Sequence, residues 1–566
     1  MGLTLGRQII HENAGKPLPR FTWEDAGKLQ KDYLHPPTVR PSDFAIAGLR
    51  GKPGQGTFTE AHMKATAIAE ILWRKANGIN GPVLVTKDEN PLSLAAFRTA
   101  IEVFAAHGVP LMIQAGSQIE GQGYTATPVA SFFIVDYNRK AGSRANAATA
   151  AIMSASHNPF GQGGAKFNPD NGGPVNADDR RLVNAIIEYM LEGKRNSNIK
   201  TKPFEDAIKI ARPVDLLTPY VLDLAKAIDF NCVRNAGNIA IDPLGGTALD
   251  PWLLIQEKYN LHNLTILNKK HEPLYDSMLG DSDGAGRGDP SSPYAMSGLI
   301  KLMAQGDYEM AGANDRDGDR CGFATRKGLM TPNQFFSVVA NQLFIELKDK
   351  GWKGKKLGKT LVSTMMLDFI AKKLGIESVH MPVGFQNYNF GLAEGWLAFV
   401  MEESAGATFI NPDGSLSSVD KDGIRLILKG FEIATRKGKT PYQLYTNLTS
   451  EFGAPYFERL DGKVDEALAD VLAGLKPSDI DATSLAGMQI TEKIDRAPGN
   501  NEKIGGIKVV LNNGEAFFVL RPSGTERGIV RLYVETIRGK EHFDVLVKEI
   551  SDLIGSTLER LAGGRK

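Results

Sequence analysis

The sequence predicts an α/β protein of three successive mixed α/β domains followed by a smaller C-terminal α+β domain. Three observations predict it. Short apolar runs alternate with helix-length segments at the spacing of strand–helix–strand units. The pattern restarts twice, and each of the first three blocks ends in a polar loop. The last block instead reads as an antiparallel meander closed by one long helix.

Residues 1–40 are polar and proline-rich and read as an extended arm with one short helix. The run at 82–86 reads as a buried strand. The segment 91–107 reads as a helix, opened by Pro91 and stopped by Gly108. Strands follow at 111–114 and 150–154, the latter entering a loop rich in glycine and asparagine. In the second block a helix over 216–228 precedes a strand at 239–242, and a strand at 308–313 runs into an acidic loop. In the third block the spacing predicts a helix over 334–348 and strands at 359–365 and 396–401, the last stopping before Glu402. In the final block, 509–512, 516–520 and 529–535 form the meander and 542–561 the closing helix. The expected domains are 1–205, 206–325, 326–450 and 451–566.

Composition narrows the function. Lys plus Arg number 66 against 65 Asp plus Glu, a net charge of +1. That balance argues against nucleic acid or an anionic membrane as the main partner and leaves room for a local basic pocket. Sixty glycines suggest many loops where backbone approaches a ligand. Cys232 and Cys321 lie far apart, outside any C-x-x-C pair, so no zinc or redox motif is expected. Thiol-poor usage fits a cytoplasmic enzyme. The first residues lack the apolar core of a signal peptide. No stretch reaches the ~20 apolar residues of a membrane span, and the longest helix candidate of that kind, 335–347, reads as core.

Four loops carry chemistry. In Ser154-Ala-Ser-His-Asn-Pro159, the turn exposes Ser156 as a candidate nucleophile. Its neighbour His157 is expected to touch whatever Ser156 carries in preference to the hydroxyl itself, and Lys166 to neutralise a phosphate. The alternative is a polar turn with a capping serine. In Asn314-Asp-Arg-Asp-Gly-Asp-Arg320, the three carboxylates Asp315, Asp317 and Asp319 can converge on one hard cation, and with a phosphoryl oxygen they suit Mg²⁺. An EF-hand fails here, because its sixth and twelfth positions would be Arg320 and Arg326. The alternative is a solvated acidic turn. In Met401-Glu-Glu-Ser404, an extended backbone would point Glu402 and Ser404 to one face, able to bind sugar hydroxyls, with Glu403 opposite; a surface strand end is an equal reading. In Arg521-Pro-Ser-Gly-Thr-Glu, with Arg531 beyond it, Arg521, Ser523, Gly524 and Thr525 make a plausible anion nest, or a simple hairpin turn. A nucleophile, a metal set, a sugar pair and a separate phosphate cradle together describe phosphoryl transfer on a substrate that already carries a phosphate.

These motifs, in this order, resemble the α-D-phosphohexomutase family. Asp242-Pro-Leu-Gly-Gly246, Gly328-Leu-Met-Thr-Pro-Asn333 and Asp420-Lys-Asp-Gly-Ile424 are similar to its bacterial phosphoglucomutase branch. The resemblance implies four domains around a central cleft. It implies that Ser156 is a phosphoserine, that Asp315, Asp317, Asp319 and the Ser156 phosphate hold Mg²⁺, and that Arg320 supports that centre. Arg50, in Gly48-Leu-Arg-Gly51, matches an arginine near the transferred phosphate, and Lys166 an acid/base lysine with His157 beside it. Glu402 and Ser404 match the sugar-binding pair, and Arg521, Ser523, Gly524, Thr525 and Arg531 the phosphate loop. The implied activity interconverts glucose 1-phosphate and glucose 6-phosphate through a bisphosphate, with a small sugar phosphate as partner and a monomer or homodimer as the assembly. The alternatives are a relative acting on another hexose phosphate, one making the bisphosphate, or a non-catalytic scaffold. The sequence departs from the family where Ile46-Ala47 replaces Thr-Ser, where Gln386 in Gly384-Phe385-Gln386 replaces lysine, and where Met401 replaces glycine. These changes bear on substrate affinity and specificity.

Overall fold

Strand pairing gathers the chain into four sheets in sequence order, of seven, five, four and six strands. The computed structural model describes residues 5–42, 44–45, 48–119, 121–524 and 528–563. The first sheet is built on Val83–Lys87, which runs parallel to Leu111–Gln114 on one side and Thr149–Met153 on the other. Every residue of Val83–Lys87 and Thr149–Met153 is buried, as parallel strands covered on both faces require. Gly163–Asn168 and then Gly48–Gly51 extend this sheet antiparallel. The helix Pro91–Ala106 begins where the Asn90 side chain accepts from Leu92 N.

In the second sheet Ile239–Asp242 is parallel to Leu264–Ile266 and Met310–Asn314. Met310–Asn314 then pairs antiparallel with Cys321–Thr325, which closes residues 315–320 into a hairpin loop. The third sheet sets Lys356–Thr360 between the parallel strands Ser378–Met381 and Leu397–Met401. The fourth is antiparallel and backed by the helix Gly539–Gly563.

The expected fold class is the observed one, with local corrections. The helix expected over 216–228 is broken into Leu217–Asp223, a tighter turn at Leu224–Lys226 and a separate helix at Phe230–Arg234. The strand expected at 359–365 ends at Thr360. There the Thr360 and Ser363 hydroxyls meet at 2.7 Å and the chain turns into the helix Met366–Leu374. The final sheet has six strands where three were expected. Its strands Tyr456–Lys463 and Met488–Arg496 carry many charges that mask their alternation.

One hydrophobic cluster runs through the first three sheets, from Leu84 through Ile241 to Phe399. The fourth sheet has a core of its own and meets the third through Val362, Met365, Phe517, Val519 and Tyr533. Polar contacts sharpen that junction: Glu535 accepts from Thr364 Oγ1 at 2.9 Å and Met365 N at 2.8 Å, and Lys508 Nζ donates to Leu361 O at 2.8 Å. The N-terminal arm forms a second link. Gly6 and Asp461 exchange backbone hydrogen bonds of 3.1 and 3.0 Å, and Arg7 reaches Glu458 and Asp544. The arm then runs along the 279–284 loop, with Gly15 N donating to Gly280 O at 2.7 Å, before the capped helix Trp23–Leu34. No helix among the described residues is long and apolar enough to cross a membrane.

The junction makes a stability prediction. Burial, reinforced by nearby Lys359, pushes the Lys508 ammonium down to about 7 from an ordinary 10.5. Across that window the unfolded chain binds the proton that the folded chain releases, so this group's contribution to stability rises as pH rises from about 7 to about 10.5. Lys508→Met removes the titration. Thermal melts of both proteins should show wild-type stability gaining on the variant across that window; parallel pH profiles would contradict the burial argument.

Candidate active site

Ser156 sits on the turn that leaves Thr149–Met153, with its backbone at φ +54. This conformation is uncommon for a residue with a side chain and marks a constrained loop. Ser156 N donates to Ser154 Oγ at 2.9 Å, and Ser156 Oγ donates to Asp315 Oδ2 at 3.0 Å. The same backbone brings His157 Nδ1 to 3.3 Å from Ser156 Oγ, within reach of the hydroxyl as well as of a group carried on it. Burial and then Arg320 push His157 down to about 3, which leaves the ring neutral.

The 315–320 hairpin delivers the three carboxylates. Asp315, Asp317 and Asp319 are at most 1% exposed, and a ligand oxygen from each lies within 4.8 Å of the others. Asp315 Oδ1 accepts from Arg320 N at 2.9 Å. Asp317 Oδ2 accepts from Thr127 Oγ1 and Ser154 Oγ, each at 3.1 Å. Lys166 Nζ donates to Asp317 Oδ2 at 2.5 Å and Asp319 Oδ2 at 2.9 Å, and Lys421 Nζ lies 3.1 Å from Asp319 Oδ2. Burial, then repulsion from Asp317 and Asp319, raises Asp315 well above the carboxylate range. Burial also opposes ionisation of Asp317 and Asp319, but Lys166, joined at Asp319 by Lys421, overcomes it and holds both below their ordinary range. Asp317 Oδ1 and Asp319 Oδ1 are buried without a hydrogen-bond partner. Orphaned carboxylate oxygens beside a third carboxylate are the donor set a hard divalent cation takes, so these residues fit a metal ion.

Two arginines also face this cluster. Arg50, on Gly48–Gly51, feels Asp317 and Asp319, which oppose the lowering of its pKa by burial. Its Nη1 donates to Leu49 O at 2.7 Å and its Nη2 is buried without a partner. A Cβ at Gly164 would lie 2.4 Å from the Ser154 carbonyl oxygen and 2.6 Å from Nη1, so the neighbouring strand must carry glycine there. Arg320 Nη1 lies 3.7 Å from Asp289 Oδ2.

The third sheet adds Glu402, with one correction. Residues 402–405 form a turn, closed by Glu402 N donating to Gly406 O at 2.8 Å and by Ala405 at φ +74. The alternation of an extended strand therefore does not set the directions of Glu402 and Ser404. Glu402 Oε1 accepts from Gly384 N at 3.1 Å, Glu403 accepts from Thr360 Oγ1 at 3.0 Å, and Ser404 is half-buried. Burial pushes Glu402 up to about 7, against the pull of Lys421. Gln386 is buried and folds over Gly384, whose φ of +122 and missing Cβ make the room; Gln386 Oε1 has no partner.

Ser156, His157, Lys166, Arg50, Arg320 and the three aspartates thus meet in one buried network, with Glu402 and Gln386 beside it. The fourth-sheet residues form a separate group. Arg521 and Arg531 face each other directly across paired strands, and Asp461 is next in register. Like charges directly opposite are unfavourable, and Asp461 Oδ1 lies 4.0 Å from Arg531 Nε as a counter-charge. Ser523 N closes the hairpin onto Ile529 O at 2.8 Å. Gly524 is described; Thr525, like Ile46 and Ala47, lies outside the described residues. The Tyr533 phenol is raised by burial and then by Glu403, and it also feels Arg531 and Arg521, so the two groups are electrostatic neighbours. Sequence reasoning gave no role to Lys421, Thr127, Ser154 or Asp289. The only signal for Lys421 was its motif, Asp420-Lys-Asp-Gly-Ile424.

Comparison with known proteins follows the same lines. Models of phosphoglucomutase/phosphomannomutase alpha/beta/alpha domains I and III match residues 42–193 and 331–452. A phosphoglucomutase of Komagataeibacter xylinus is 39% identical over 525 residues, covering 92% of each chain. The open form of pp63/parafusin, a phosphoglucomutase of Paramecium, shares the fold with a TM-score of 0.69 at 19% identity, over 91% of this chain and 96% of that one. The N-acetylphosphoglucosamine mutase of Aspergillus fumigatus, in complex with GlcNAc-6P and magnesium, aligns with a TM-score of 0.53 at 14% identity, over 94% of this chain and 99% of that one.

The carboxylate cluster is directly testable. A cation that binds only the folded state raises its melting temperature in proportion to the logarithm of concentration over Kd. Wild type should show such a rise with millimolar Mg²⁺ or Mn²⁺, and Asp317→Asn should lose most of it while keeping its circular dichroism. An undiminished rise in the variant would remove Asp317 from the site.

Proposed function

The chain belongs to the phosphoglucomutase/phosphomannomutase family, the α-D-phosphohexomutases, and on that premise we propose that it is a phosphoglucomutase, interconverting α-D-glucose 1-phosphate and glucose 6-phosphate through a phosphoserine at Ser156 and glucose 1,6-bisphosphate. The observation that carries this reading is the 3.0 Å contact between Ser156 Oγ and Asp315, within a buried three-carboxylate cluster that keeps two oxygens unpartnered.

Asp315, Asp317, Asp319 and a phosphate on Ser156 would hold Mg²⁺, as the magnesium complex of the fungal neighbour supports. Bound there, it supplies positive charge to the transferring phosphoryl group. The protein's own groups do the rest. Ser156 Oγ carries the phosphoryl group, and the neutral His157 ring beside it offers a hydrogen bond to that group. Arg50, with a buried Nη2 free of partners, and Arg320 neutralise phosphoryl charge. Lys166, kept protonated by Asp317 and Asp319, neutralises charge beside the phosphoryl group, and matches the acid/base lysine of the family by resemblance. Glu402 and Ser404 orient sugar hydroxyls. Arg521, Ser523, Gly524, Thr525 and Arg531 hold the phosphate that is not reacting, which the facing Arg521–Arg531 pair supports. The bisphosphate must turn over so that O1 and O6 exchange places between Ser156 and this cradle.

A coupled assay for glucose 6-phosphate formation from glucose 1-phosphate, primed with glucose 1,6-bisphosphate, should detect activity. Peptide mass spectrometry should find a phosphate on Ser156, and Ser156→Ala should abolish turnover. Retention of mutase activity by that variant would end the assignment.

Gln386 tests specificity. Its amide is neutral, whereas the corresponding residue in relatives is a lysine by resemblance. Charged hydrogen bonds contribute roughly 1.5–3 kcal/mol against ~1 for neutral ones, and a difference of about 1 kcal/mol is roughly fivefold in affinity. Gln386→Lys should lower KM for glucose 1-phosphate by about that factor and leave the cation-induced melting shift unchanged. A KM that stays level or rises would exclude Gln386 from phosphate binding.

A further inference from the structure

The hairpin that carries the aspartates also carries Arg316, which points away from them. Arg316 is fully buried. Its guanidinium carbon lies 3.9 Å from the centre of the Tyr275 ring, its Nη2 donates to Glu272 O at 3.1 Å, and the same nitrogen lies 3.6 Å from Glu89 Oε2. Its backbone is fixed too, because Thr247 N and Oγ1 donate to Arg316 O at 2.8 and 2.9 Å. Tyr275 is itself buried and held at φ +60.

The far side of Tyr275 meets the nucleophile loop. Its hydroxyl donates to Asn158 O, two residues beyond Ser156, at 3.3 Å and accepts from Asn90 Nδ2 at 3.1 Å. Asn90 Nδ2 in turn donates to Gln162 O at 3.1 Å. Phe160, between those residues, sets its ring edge to face against Tyr275 at 5.6 Å and stacks on Phe21 at 4.2 Å. Residues 158–162 are thus pinned from one side by a tyrosine whose own ring is clamped by the arginine of the metal hairpin.

We propose that Tyr275 and Arg316 are positioning residues that register the Ser156 loop of the first sheet against the aspartate hairpin of the second. This deepens the phosphoglucomutase reading and rests on it. In phosphoryl transfer most of the rate comes from placing the attacking and leaving oxygens in line. The Ser156 loop and the metal hairpin belong to different sheets, and the Tyr275–Arg316 stack joins them behind the reacting atoms. Tyr275 touches no reacting atom, so it acts through the Asn158 carbonyl and the turn that begins at Ser156.

The test is Tyr275→Phe, which keeps the ring, and with it the arginine and phenylalanine contacts, and deletes only the hydroxyl. Loss of a neutral hydrogen bond of about 1 kcal/mol that is needed at the transition state is about fivefold in rate. The expected result is a fall in kcat of about that size, with KM for glucose 1-phosphate unchanged and the melting temperature near wild type. The rate at which glucose 1,6-bisphosphate phosphorylates Ser156, followed by intact mass, should fall in step. Arg316→Lys keeps the charge and loses the flat face that lies on Tyr275. It should lower kcat as well, and the double variant should lose less than the product of the two single losses, as coupled groups do. Wild-type phosphorylation of Ser156 with an unaltered rate in Tyr275→Phe would overturn the positioning role. A fall in melting temperature without a fall in kcat would make the tyrosine merely structural, and multiplicative losses would break the link to Arg316. Absence of Ser156 phosphorylation in wild type would instead remove the functional reading on which the proposal stands.

Discussion

The structure turns on one electrostatic problem: three carboxylates buried within a six-residue hairpin, where each disfavours the ionisation of the others. Separate parts of the fold answer it. Lys166 comes from the first sheet and Lys421 from the segment after the third, and they converge on Asp317 and Asp319. Arg50, from another strand of the first sheet, feels the same pair. A buried charge left without its partner is far more costly than an exposed one. The relative placement of the first three sheets is therefore bound to the chemistry of the site, and it is these three that share one apolar core.

Much of this was legible in the sequence because the key groups are local. A serine at a Ser-His-Asn-Pro turn and three aspartates at alternate positions announce themselves without any tertiary information. The central strands were legible too, since a parallel strand buried on both faces is an uninterrupted apolar run. What was hidden depends on distant segments. Lys421, Thr127 and Ser154 gain their roles only when the hairpin folds against them. The chain turns at 361–365 and 402–405, where hydroxyl and backbone hydrogen bonds replace the ladder, so the strand expected at 359–365 ended early and period-two reasoning failed at Glu402 and Ser404. The long helix expected over 216–228 broke because apolar content alone does not fix where a helix stops.

The fourth sheet is organised differently. Its core is separate, and Arg521 and Arg531 are register partners on neighbouring strands, with Asp461 4.0 Å from Arg531. Its junction with the third sheet combines a small apolar cluster with Lys508 and Glu535, both buried and both shifted to about 7.

The N-terminal arm has a consequence for how copies of the molecule meet. Tyr456–Lys463 is an outer strand of the fourth sheet, and an outer strand offers unpaired backbone to any extended chain that arrives. Gly6 occupies that edge at Asp461, with Arg7 fastened to Glu458 and Asp544. Because the occupant belongs to the same molecule, it holds this edge without any encounter between copies. Gly6 and Arg7 thus cover part of this edge from within the molecule, at a point where a second copy would otherwise pair.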